Sequence, residues 1–151
     1  MKLAVGADHA GFTLKAVLCE HLVGLGHEVL DLGTGDATSS VDYPTFGAAV
    51  AHAVASGDAE LGVCVCGTGI GIAMAAGSVP GIRAATVHDV TSARLAREHN
   101  HANVLCLGAR LSGEAVALDA LDAFLAAVPL EGRHERRVAQ LEALRPDRTS
   151  P

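Results

Sequence analysis

Two patterns of apolar positions alternate along the chain. LAVGA at 3–7, LGVCVC at 61–66 and NVLCLGA at 103–109 are short, nearly continuous apolar runs, as expected of strands covered on both faces. Between them apolar residues recur at helical spacing. Leu14, Val17, Leu18, Leu22 and Leu25 share one face, and Leu118, Leu121, Leu125 and Val128 share another. The pattern predicts strands at 3–8, 27–33, 60–66, 82–88 and 103–109, and helices at 12–25, 44–57, 71–77, 91–100 and 113–128. Strand and helix in alternation imply an α/β fold: a three-layer α/β/α, Rossmann-like domain around a five-stranded parallel sheet. A further helix is expected at 133–145, after Pro129 and Gly132, with Val138, Leu141 and Leu144 on one stripe. No strand follows this extra C-terminal helix, so its stripe is available to a surface other than its own sheet.

The 151 residues, half of them apolar, suffice for one core and not comfortably for two. A single domain over 1–145 with a frayed end at 146–151 is expected, without linker, repeat or low-complexity tract. Aromatic residues make up 3% and tryptophan is absent, which argues against stacking platforms for single-stranded nucleic acid, as does a net charge of −6. The charge is uneven: residues 1–132 carry fourteen acids and six bases, whereas 133–151 carry five arginines and three acids. No run approaches the roughly 18 apolar residues of a membrane span, and Met1-Lys2 leads directly into a strand rather than a secretory signal. A cytoplasmic protein without membrane contact is expected. Cys19, Cys64, Cys66 and Cys106 lie in apolar segments and read as reduced thiols.

Ligands of parallel α/β sheets bind beyond the carboxyl ends of the strands, which singles out the residues after each strand. These are Asp8, His9 and Gly11; Cys66 with the loop Gly67-Thr68-Gly69-Ile70-Gly71; His88 and Asp89; and Arg110. The N–H groups of a glycine loop opening a helix form a concave donor set for an anion or a developing oxyanion, although a tight strand-to-helix turn needs the same small residues. A dinucleotide G-x-G-x-x-G fails because the third glycine falls at Gly71, with Ile72 after it. A phosphate P-loop fails because Phe12-Thr13 stand where Lys-Ser/Thr belongs. Cys64 and Cys66 share a strand face, but only Cys66 meets the loop, whose N–H groups would favour a thiolate; a buried apolar thiol is the other reading. Cys-x-Cys with His99-Asn100-His101 lacks the paired spacing of a zinc site. His99 closes the fourth helix, expected on the same side of the sheet as the strand ends, where it would exchange protons with a ligand or simply meet the helix dipole. His21, His27 and His52 show no partner in the sequence and read as surface or structural groups. Arg133 and Arg137, four residues apart, share a face of the last helix beside Arg136, with His134 on the adjacent apolar stripe. Paired guanidiniums suit a phosphate, and a solvated charged face is the alternative.

GADHAGFTLK at 6–15, DYP at 42–44, CGTGIGI at 66–72, GIRAA at 81–85, ARLAREHNHANVL at 93–105, LGAR at 107–110 and GRHERRV at 132–138 occur in this order over almost the whole chain. Together they resemble the ribose-5-phosphate isomerase B family, which includes galactose-6-phosphate isomerase subunits. The resemblance implies an aldose–ketose isomerase interconverting ribose 5-phosphate and ribulose 5-phosphate through an enediolate. It implies Cys66 as the base moving a proton between C1 and C2, and His99 as the acid that opens the furanose ring. Thr68 and the backbone of Gly67, Gly69, Ile70 and Gly71 would hold the enediolate oxygens. Asp8, His9, Asn100, Arg110, Arg133 and Arg137 would contact sugar and phosphate. The resemblance implies no metal and no cofactor, and a homodimer or homotetramer whose terminal helix reaches a neighbour's site. Some relatives carry a glutamate base after the third glycine; Ile72 places this chain in the cysteine branch. Gly77-Ser78 and His101 stand where many relatives have Asn-Lys and an acidic residue, which bears on the choice of sugar. The alternatives are an isomerase of allose 6-phosphate, galactose 6-phosphate or a tetrose phosphate, and a non-catalytic phosphosugar-binding subunit, against which an intact Cys66 and His99 argue.

Overall fold

The computed structural model describes residues 1–144. The end expected to fray, 146–151, lies outside the described residues, as does residue 145. Strand and helix alternate in the expected order: β1 (Lys2–Ala7), α1 (Phe12–Gly24), β2 (Glu28–Asp31), α2 (Tyr43–Ser56), β3 (Leu61–Cys66), α3 (Ile70–Gly77), β4 (Ala84–Thr86), α4 (Val90–Asn100), β5 (Val104–Gly108), α5 (Glu114–Ala126) and α6 (Arg133–Ala143). The strands form one five-stranded sheet, order β2-β1-β3-β5-β4, with every neighbouring pair parallel. The three continuous apolar runs take the three central places, and β3 and β5 are buried along their whole length. The less apolar strands β2 and β4 lie at the edges, half-covered.

Because side chains alternate across a strand, the central strands feed two cores. Leu3, Val5, Val63, Val65, Leu105 and Leu107 pack against α1, α4 and α5, with Phe124 fully enclosed. Ala4, Cys64, Cys66, Val104 and Cys106 face α2 and α3, where Val50 and Ile72 close the layer. The sandwich is therefore the expected α/β/α arrangement.

The edge strands are shorter than the pattern predicts, Glu28–Asp31 against 27–33 and Ala84–Thr86 against 82–88. A strand with one neighbour has one ladder to hold it. At β4, Ile82 is instead drawn into the turn after α3, its N–H donating to the Val79 carbonyl. Helix α5 stops at Ala126 because Pro129 disfavours helical geometry in Val128, which stands exposed and does not complete the expected apolar face. Leu25 is likewise exposed, beyond the end of α1. Lys15 on α1 is buried, its ammonium bonded to both Asp31 oxygens at 2.8 and 2.6 Å and to the Thr34 carbonyl, which fastens the chain leaving β2. Helix α6 has no strand of its own and rests on α4, burying His134 but leaving Leu141 and Leu144 exposed on its apolar stripe.

Candidate active site

Cys66 is the last residue of β3, in register with Gly108 of β5, and the chain then turns straight into α3. The turn requires glycine at two places. Gly69 adopts φ 76°, the left-handed region, and a Cβ on Gly108 would stand 2.5 Å from the Thr68 carbonyl carbon. This conformation aims the Gly69 N–H at the Cys66 sulfur, N···Sγ 3.1 Å, so a nearly buried thiol receives a backbone hydrogen bond at a helix N-terminus. Thr68 Oγ1 accepts from the Ile70 N–H at 3.3 Å, and Thr86 donates to the Gly69 carbonyl at 3.1 Å.

Around the thiol lies a cavity of about 230 Å³ lined by Asp8, His9, Tyr43, Cys66, Thr68 and Arg110, with Gly67 and Gly71 in its wall. Asp8 is buried and accepts the Gly11 N–H at 3.0 Å, which turns the chain from β1 into α1. His9 Nδ1 accepts the Val41 N–H at 3.2 Å, so in the neutral ring the proton resides on Nε2, available as a donor. The Arg110 guanidinium lies over Gly67, where a Cβ would meet it at 3.0 Å. Tyr43 packs on Gly71 in the same close manner. No spacing in the sequence singles Tyr43 out; its one signal is the DYP segment. Ile70 is half-exposed at the start of α3, and Ile72 is buried in the core. Of the other residues beyond strand ends, Asp89 caps α4, accepting the Ser92 N–H at 2.7 Å. That bond first, and the Ser92 hydroxyl with it, holds the Asp89 carboxyl below the usual range.

The remaining expected site residues stand elsewhere. His99, Asn100 and Arg137 line a second cavity of about 370 Å³ with His134, Val138 and Leu141, and Arg133 joins it through His134. This corrects the expectation that His99 shares the edge of the strand ends. A helix between parallel strands runs back to the amino edge before the next strand begins. Helix α4 ends at Asn100, and Asn103 accepts the N–H of Gly62, near the start of β3. From the Gly62–Val104 pair to the Cys66–Gly108 pair is four residues along the sheet, roughly 13 Å. Within one chain Asp8, His9, Cys66, Gly67, Thr68, Gly71 and Arg110 converge; His99, Asn100, Arg133 and Arg137 form a separate group.

The other thiols are structural in their placement. Cys64 and Cys106 are paired across β3 and β5 and fully buried; a hydrogen bond donated by the Cys106 thiol to Cys64, then burial, pushes the Cys106 thiol well up. Burial, followed by Asp31, pushes the Cys19 thiol up to about 11. Two histidines expected to lack partners have them: His21 Nε2 lies 2.7 Å from Asp122 on α5, and His27 Nδ1 lies 3.4 Å from the terminal amine. Among the described residues no cluster of three or more His, Cys, Asp or Glu is placed to hold a metal ion, and no helix is long and apolar enough to cross a membrane.

A thiol under an N–H cradle, with a carboxylate, an imidazole and a guanidinium beyond the carboxyl edge of a parallel sheet, defines a class: an α/β domain built for proton transfer on a small anionic ligand. Residues 3–141 match the Ribose/Galactose Isomerase family. Ribose-5-phosphate isomerase B of Escherichia coli is 44% identical over 143 residues, 95% of either chain. The solved Clostridium thermocellum ribose-5-phosphate isomerase B superposes with a TM-score of 0.94 at 47% identity, over 95% of this chain and 97% of that one. The Mycoplasma genitalium ribose-5-phosphate isomerase B, solved with bound ribulose-5-phosphate, superposes with a TM-score of 0.90 at 40% identity, over 94% of either chain. The chain belongs to the ribose/galactose isomerase family and is an isomerase.

Proposed function

We propose that this isomerase interconverts ribose 5-phosphate and ribulose 5-phosphate, in a site assembled from two copies of the chain. The observation that carries the reading is the division of the chemistry between two cavities at opposite edges of the sheet. One holds a base and an oxyanion cradle; the other holds an imidazole and guanidiniums. Proton transfer beside a carbonyl needs all of them together. Support for the substrate comes from the E. coli relative and from the ribulose-5-phosphate bound in the Mycoplasma structure.

In the proposed reaction protonated His99 of one copy gives its proton to the ring oxygen of the furanose while the anomeric hydroxyl passes its proton to water, and the C1–O bond of the ring breaks to leave an open aldehyde. The Cys66 thiolate of the other copy then removes the C2 proton. The charge developing on O1 meets the N–H groups of the 67–71 loop with Thr68; the O2 hydroxyl proton passes to O1, and the thiol returns its proton to C1, leaving O1 as a hydroxyl and O2 as the ketone oxygen. Asp8, His9 and Asn100 hold sugar hydroxyls. Arg110, Arg133 and Arg137 compensate the phosphate charge on an otherwise acidic body. The family also embraces galactose-type enzymes, so a six-carbon phosphate is the second reading. Initial rates across pentose, hexose and tetrose phosphates separate the two: the proposal expects the highest kcat/KM with ribose 5-phosphate, and a higher value for any hexose phosphate overturns it.

A further inference from the structure

His134 has no place in the chemistry above, yet it is the one buried residue of α6. Its ring is stacked on His99, centroids 4.3 Å apart and planes inclined by 16°. Its Nε2 accepts from Nε of Arg133 at 3.3 Å, which fixes the neutral tautomer with the proton on Nδ1. Two imidazolium rings at this separation would repel, and the Arg133 bond ensures that the face offered to His99 is uncharged. The stack is held from both sides. His101, in the left-handed conformation at the end of α4, bonds through Nε2 to the Leu130 carbonyl at 2.8 Å, and the Leu130 N–H returns to the Glu98 carbonyl at 2.9 Å. The entry to α6 is thereby clamped to the exit of α4, and His134 is set against His99. The groups facing the stack are His99 and His101 from α4, and Arg133 and Arg137 from α6.

We infer that His134 is a positioning residue with two separable duties: its ring face fixes the orientation of the His99 imidazole, and its Nε2 fixes the guanidinium of Arg133. The inference rests on His99 acting as the ring-opening acid and Arg133 as a phosphate ligand. Two substitutions divide the duties. His134→Phe keeps an aromatic face and removes the acceptor; His134→Asn keeps a polar acceptor and removes the ring. With ribose 5-phosphate, His134→Phe should raise KM by about fivefold with kcat nearly kept, as for one lost hydrogen bond. His134→Asn should lower kcat about tenfold with KM nearly kept, since a freed imidazole samples unproductive orientations.

A merely structural His134 would alter both constants in both variants, and that result overturns the inference. The same measurement in a His99→Asn background makes the test independent of folding: there His134→Asn should have no further effect on kcat, and an undiminished tenfold loss refutes positioning. Should His99→Asn alone retain wild-type turnover of ribose 5-phosphate, the assignment of His99 fails first and this inference falls with it. A kcat loss confined to backgrounds with His99 intact, together with a KM effect confined to backgrounds with Arg133 intact, supports it.

Discussion

Mixing two inactive variants tests whether the two cavities combine across copies of the chain. In one chain the thiol lies at the carboxyl edge of the sheet and His99 at the amino edge, about 13 Å apart along the strands alone, farther than a proton is handed within one small substrate. Cys66→Ala and His99→Asn should each depress isomerisation by at least about 100-fold, the usual range for a lost general acid or base. If a two-fold assembly draws Cys66 from one copy and His99 from the other, a mixed pair contains one site lacking both groups and one site with both intact. Random assortment of equal amounts makes half the pairs mixed, so about one quarter of wild-type activity should return, and about one half in mixed pairs isolated by two affinity tags. The assay is the initial rate of ketose formation after co-refolding, with each parent refolded alone as control. Isolated mixed pairs no more active than the sum of their parents would refute the shared site, because a site complete within one chain cannot be restored by pairing two defective chains.

Cys64→Ala should keep turnover while lowering stability by about 1–2 kcal/mol for the lost buried sulfur, read in a denaturant titration, whereas Cys66→Ala should keep stability within about 1 kcal/mol and lose turnover; the reverse pattern would exchange their roles. Gly108→Ala should destabilise the protein by about 1–3 kcal/mol and lower kcat, because its Cβ meets the Thr68 backbone at 2.5 Å and the loop carrying the Gly69 N–H must move; unchanged stability would contradict that packing. Burial, with His99, Arg133, Arg137 and His101 around it, holds the His134 imidazole below the usual histidine value, so the folded state binds its proton less readily than the unfolded chain. Its stabilising effect is therefore complete above about pH 6.5 and declines as the pH falls from there toward the lowered folded value. The stability difference between wild type and His134→Phe should shrink between about pH 8 and pH 5, and a difference that grows on acidification would reverse the sign of this argument.

Local sequence determined the layers. LGVCVC and NVLCLGA have no polar side to show water, which places both in the middle of the sheet, and the glycines around Cys66 permit the one sharp turn that presents a backbone N–H to its sulfur. The carboxyl-edge half of the proposed site was legible for the same reason: Cys66 ends a strand, Asp8, His9, Thr68 and Arg110 lie within two residues beyond one, and parallel strands bring such residues to one edge. The other half was not legible from spacing, because the position of His99 depends on the direction of α4, which carries it back along the length of the strands to the opposite edge. Long-range partners were equally hidden. The bond between His21 and Asp122 spans 101 residues, and the wall contributed by Tyr43 depends on the close approach of α2 to α3. The apolar stripe of α6 announced a helix that packs on something, but only the tertiary structure decided that its own chain covers His134 and leaves Leu141 and Leu144 exposed, since a stripe encodes the need for burial and not the surface that meets it.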